Sequence, residues 1–177
     1  MTSTRIEKIH RELFSIPKSR VYAVLDGASI KNLLLHLDEH EPDYFCLYQG
    51  DLPHDVEEAA PYLVHLEKES PFTQWVIEKG WGNHWGIFAV ARENIKAMRK
   101  HFRTLIMVKD PDGKRLFFRF YDPRIFKTFL PTCNGDELAE VFGPVTCYMQ
   151  EEDEPDTLLA FRQENSEGLM IDGIGLA

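Results

Sequence analysis

Residues 104–124 read TLIMVKDPDGKRLFFRFYDPR, and this stretch decides the fold class. Residues 104–108 have the composition of a short strand, Asp110, Pro111, Asp112 and Gly113 form a strong turn signal, and an aromatic run returns from Leu116 to Tyr121. A hairpin requires an antiparallel pair. In the returning run Leu116, Phe118 and Phe120 fall on one face of a period-two strand, and Phe117, Arg119 and Tyr121 on the other. Asp122 then has helix N-cap chemistry, with Pro123 at the first helical position, where its fixed φ suits the helix and its missing N–H costs nothing. On residue types alone this corner builds a core. The guanidinium groups of Arg119 and Arg124 beside Tyr121 and Asp122 add a second reading, forked donors for a partner's carboxylates or backbone carbonyls.

Outward from the corner, strands and helices interleave. Apolar runs at residues 21–25, 44–48, 62–66 and 85–90 read as buried strands. Helical spacing appears at 29–37, at 70–80 behind a Ser70-Pro71 start, and at 92–102, where Ile95, Met98 and Phe102 share one face against a basic opposite face. Two short helices at 124–130 and 137–142 and two strands at 145–150 and 157–162 follow. Residues 168–177 read as a tail or a short edge strand. The hairpin forbids a purely parallel sheet. The expected fold is therefore an α/β domain around a mixed parallel/antiparallel sheet flanked by helices, with a small helical and strand-pair segment at its C-terminal end. A chain of 177 residues, 44% hydrophobic, suffices for one well-buried core, so a single domain over 1–177 is expected, with an acidic extension from 151.

Charge is unevenly spread. Residues 92–132 carry eleven basic and four acidic groups, whereas 133–177 carry one and eleven. A basic block inside a chain of net charge −9 opposes nucleic-acid binding, because the rest of the surface repels phosphate. It suits steering of a charged protein partner. There is no run of about eighteen apolar residues and no charged-then-apolar leader, so no membrane partner or secretory route is expected. Cys46, Cys133 and Cys147 are too few and too far apart for a disulfide framework or a zinc site.

Possible chemistry is sparse. Asp26 closes a buried strand, where an α/β enzyme would place a nucleophile or metal ligand, but a phosphatase of that kind needs a second aspartate two positions on, and Ala28 stands there. His36 and His40 share a helical face without a metalloprotease glutamate or an evident third ligand. His84 lies in a glycine-flanked turn between Trp81 and Trp85, which read either as a core plug or as interface anchors.

Several short motifs recur in a fixed order: Tyr22-Ala23-Val24-Leu25-Asp26, Leu47-Tyr48-Gln49-Gly50, Ala60-Pro61-Tyr62-Leu63, Trp85-Gly86, the 118–124 corner, and Phe142-Gly143-Pro144. In that order and spacing the chain resembles the effector-chaperone (adaptor) family of bacterial type VI secretion systems, over residues 21–150. The resemblance implies a cytoplasmic, non-enzymatic adaptor that binds a secreted effector and helps load it onto the secretion spike, with neither cofactor nor metal. The expected partner-binding residues are Tyr62, Trp81, Trp85, Arg119, Tyr121, Asp122 and Arg124. Two other classes compete: an immunity protein that blocks a toxin, and a small hydrolase using Asp26, His84 and Asp122.

Overall fold

The structure, a computed structural model, describes residues 3–109, 112–164 and 168–177. Helix α1 spans Ser3–Leu13, strand β1 Arg20–Asp26, α2 Leu33–His40, β2 Tyr44–Cys46, α3 His54–Glu58 and β3 Pro61–Leu66. Next come α4 Pro71–Trp75, which runs into a wider π-type turn at Val76–Gly80, then β4 Gly86–Ala91 and α5 Ile95–Ile106. Strands β5 Met107–Lys109 and β6 Arg115–Phe117 precede α6 Pro123–Phe129 and α7 Gly135–Phe142. Strands β7 Val145–Glu151, β8 Thr157–Glu164 and β9 Gly168–Gly175 complete the chain. Among the described residues no helix is long and apolar enough to cross a membrane.

Seven strands form one sheet in the order β2-β3-β1-β4-β7-β8-β9, and every pairing in it is antiparallel. This corrects the expectation of a mixed parallel/antiparallel sheet. The reason lies in the crossovers. Helix α2 carries the chain from β1 to β2, which run the same way, but β3 inserts between them. Helix α4 likewise links β3 to β4, which run the same way with β1 between them. The alternation of strand and helix is real, yet each crossover skips one place and an antiparallel neighbour fills it.

The central strands are covered on both faces, which explains their continuous hydrophobicity. Along β1, Val21, Ala23 and Leu25 meet the layer of α1, α2 and α4, while Tyr22 and Val24 meet α5, α6 and α7. Burying each of the valine and leucine side chains among them is worth about 1.5–3 kcal/mol. Strands β8 and β9, from the acidic C-terminal stretch, extend the main sheet, and β9 is an eight-residue edge strand.

The hairpin differs from its expected form. Helix α5 continues to Ile106, so only Met107–Lys109 is strand, and β5 with β6 forms a separate two-stranded ribbon. Asp110 and Pro111 of the expected turn lie outside the described residues. The returning strand stops at Phe117; the Phe118 N–H turns to the Ile106 carbonyl at 2.8 Å, and the chain bends inward. Phe120 and Tyr121 are consequently both buried instead of alternating.

At the start of β4 the backbone of Gly86 packs directly on the Val24 carbonyl of β1, so that a Cβ would collide with main chain that cannot yield. Gly86→Ala should cost about 1–3 kcal/mol of unfolding free energy or more, read from urea unfolding. A variant as stable as the parent would contradict this packing.

Candidate functional site: an arginine corner at the end of the sheet

Asp26 ends β1 on the same face as Tyr22 and Val24, and it is fully buried. Its carboxylate accepts hydrogen bonds from the Ser29 hydroxyl at 2.6 Å and the Ala28 N–H at 3.2 Å, tightening the turn that follows the strand. The remaining donor comes from across the fold. Arg119 Nη2 reaches Asp26 Oδ2 at 2.7 Å.

Asp122, also buried, caps α6 by accepting from the Arg124 N–H at 3.0 Å. The Arg124 side chain folds back on it as a fork, Nε to Oδ1 at 3.0 Å and Nη2 to Oδ2 at 2.7 Å. Arg119 Nη2 lies 3.6 Å from the same carboxylate, so it bridges the two acids. Two buried carboxylates thus face two guanidinium groups whose side chains remain 45% and 55% exposed at Arg119 and Arg124.

Burial alone would raise the Asp122 pKa. The Arg124 fork and N–H, with the charges of Arg124 and Arg119, outweigh it and hold the carboxyl below its usual range. At Arg119 burial works against the cation, but Asp26, Tyr121 and Asp122 together raise its pKa. Tyr121 is 3% exposed, and burial, then the neighbouring Tyr48 phenol and the Asp26 charge, push its pKa well above the ordinary phenol value. It stays protonated. Gln150 of β7 pins the helix start by donating from Nε2 to the Pro123 carbonyl at 2.8 Å.

The other expected site residues lie on the opposite face of the sheet. Tyr62 and Trp81 are buried there, the Tyr62 hydroxyl donating to the Glu57 carbonyl at 3.0 Å and Trp81 Nε1 to the Pro155 carbonyl at 2.8 Å. Trp85 is half-buried against Trp75, with ring centroids 4.8 Å apart. His84, at φ 55°, gives its backbone N–H to Glu151 Oε1 at 2.7 Å, and its Nδ1 lies at the same distance from that oxygen. Glu151 also accepts from the Gly82 N–H. Asp26 and Asp122 therefore meet through Arg119, whereas His84 is paired with Glu151.

Sequence reasoning missed Glu151, which belonged to an acidic run read as a turn. Its signal was the strand pattern of 145–150, which continues one residue further. His36, Glu39 and His40 bring one ligand atom each within 4.8 Å on the last turn of α2, half-exposed or exposed to solvent.

The class this defines is a domain with a fully antiparallel sheet covered by helices on both faces, presenting two salt-bridged arginines at one end. The chain belongs to the family described as Domain of unknown function (DUF4123), whose model matches residues 21–140 and includes the whole corner. No curated protein and no solved structure matches it.

A carboxyl with a depressed folded pKa stabilises the protein fully above its ordinary pKa of 3.8, and that contribution is lost as pH falls through the lower folded value. Wild type and Asp122→Asn should differ in unfolding free energy at neutral pH and converge at acid pH below this range. Urea titrations that remain a constant distance apart would remove the charge of Asp122 from the account.

Proposed function

We propose that this protein is a non-enzymatic cytoplasmic adaptor that binds a type VI secretion effector and helps load it onto the secretion spike. The observation that carries the reading is the corner itself. Two half-exposed guanidinium groups are held in fixed orientation by carboxylates that are themselves buried. Arginine loses much of its freedom when it binds, and here that entropy is already spent in folding. The free edges of the forks remain for a partner's carboxylates or carbonyls.

The ordered motifs from Tyr22 to Pro144 and the family membership over residues 21–140 support the same reading. Arg119 and Arg124 would touch the effector, with half-buried Trp85 as a further contact on the other face. Tyr62, Trp81, Tyr121 and Asp122 support the surface from within. The carboxylates a hydrolase would use are each engaged by arginine, hydroxyl or backbone donors, which favours binding over bond cleavage.

Co-expression with the product of the adjacent gene should yield a stable complex. Arg124→Lys keeps the charge opposite Asp122 but loses the fork, and should weaken the complex about tenfold, equivalent to about 1.4 kcal/mol, measured at a temperature where circular dichroism shows the variant fully folded. Tyr121→Ala should instead lower stability by about 3–5 kcal/mol, as an emptied aromatic core site does. No complex, or full affinity in both Arg124→Lys and Arg119→Lys, would defeat the adaptor reading.

A further inference from the structure

The β5–β6 ribbon leaves apolar side chains in water. Its register pairs Met107 with Phe117 on one face and Val108 with Leu116 on the other, and all four are exposed, Phe117 by 66%. Three residues per strand cannot form a core of their own. An uncovered ribbon that is apolar on both faces is an unusual surface for a protein to maintain, and it marks an interaction site.

Met107 and Phe117 form one wall of an open groove of about 370 Å³. Tyr48, Leu52 and Val56 also line it, and the Tyr48 ring packs on Phe117 with centroids 5.3 Å apart. The backbone leading to Tyr48 is fixed. Arg103 donates from Nε and Nη2 to the carbonyls of Cys46, Leu47 and Tyr48 at 3.0–3.2 Å. Gln49 and Arg103 continue the groove into a shallower depression lined by Lys96, Arg99 and Lys100. Helix α5 contains no acidic residue between Ile95 and Ile106, so this rim is uniformly cationic. Helix α3, which contributes Val56 to the lining, carries Asp55, Glu57 and Glu58. A bound segment would therefore be oriented as well as held, with its anions towards α5.

We propose that this groove receives an acidic amphipathic segment of the partner, seating apolar side chains between the ribbon and the 47–56 loop and setting carboxylates against Lys96, Arg99 and Lys100. The proposal rests on the adaptor reading and gives it a second contact. Tyr48 joins the two, since it packs on Phe117 in the groove and neighbours Tyr121 in the corner. Apolar contact supplies affinity, while the cationic rim selects the sign of the partner.

The test uses the full chain and two synthetic amphipathic peptides of about 18 residues, with leucine at helical i, i+3, i+4 and i+7 spacing. One carries glutamate at the remaining positions and the other lysine. Fluorescence anisotropy should show the glutamate peptide binding at least about tenfold tighter, with affinity falling as salt rises. Phe117→Asp and, separately, the Lys96→Glu/Lys100→Glu double variant should each lose about tenfold, while Ile171→Asp on the outer strand β9 should not. Equal binding of both peptides, or binding indifferent to Phe117→Asp, overturns the proposal. So does a concentration-dependent dimer in sedimentation that Phe117→Asp abolishes, because the groove then belongs to a second copy of this chain. If the wild type captures the adjacent-gene product and Phe117→Asp captures it equally well, the groove assignment falls and the adaptor reading stands. Peptide discrimination that survives a failure to capture that product upholds the groove and removes the adaptor reading.

Discussion

Asp26 stands at the end of a strand whose two faces are both covered, so its negative charge has to be met inside the protein. Arg119, ninety-three residues further along the chain, meets it at 2.7 Å. A buried carboxylate without a cationic partner would be destabilising, although the solvent that reaches half-exposed Arg119 makes the pair worth less than a fully buried one. The requirement fixes where the segment after the hairpin can go. Once Arg119 is placed, Phe120 and Tyr121 enter the core beside it, and Asp122 arrives where it can cap α6 and share the same guanidinium. Gln150 then ties the start of that helix to β7. The corner is thus both a closure of the fold and a platform that aims two cations outward.

Element existence was largely legible, because it depends on local patterns. Ser70 does accept from the Phe72 N–H at the start of α4, and Asp122 does cap α6 before Pro123. Boundaries were less so. Helix α2 begins at Leu33 rather than 29 because Asn32 adopts a left-handed conformation, and α7 begins at Gly135 behind an Asn134–Glu137 capping box. Strand direction was legible in the β5–β6 hairpin, whose turn signal demands an antiparallel pair, but not in the main sheet. A strand buried on both faces reads as one apolar run whichever way its neighbour points, and nothing in residues 21–66 announces that β3 inserts between β1 and β2.

The site was legible in part for a similar reason. Arg119 and Arg124 stood out by chemistry, but the period-two reading carried Tyr121 to the surface because it extended a strand that ends at Phe117. A single long-range bond, from the Phe118 N–H to the Ile106 carbonyl, undoes the periodicity. The tryptophans illustrate the complementary difficulty. Trp81 and Trp85 are near the corner's end of the sheet, yet pack on the other face, and only the three-dimensional sheet separates them from Tyr121. Phe117 was read as one half of an alternating strand, and its exposure follows from the ribbon standing apart from the main sheet, with the Tyr48 ring against it.

Buried acids orient the exposed arginines, and Tyr48 links that corner to the apolar ribbon; under the proposed adaptor role these are the surfaces that grip another polypeptide. Hydrogen exchange of the free chain against a mixture with the product of the adjacent gene tests this most directly. The account predicts slowed exchange in residues 112–126 and along α5, with the outer strand β9 unchanged. Protection confined to β9, or none in the corner, would contradict it.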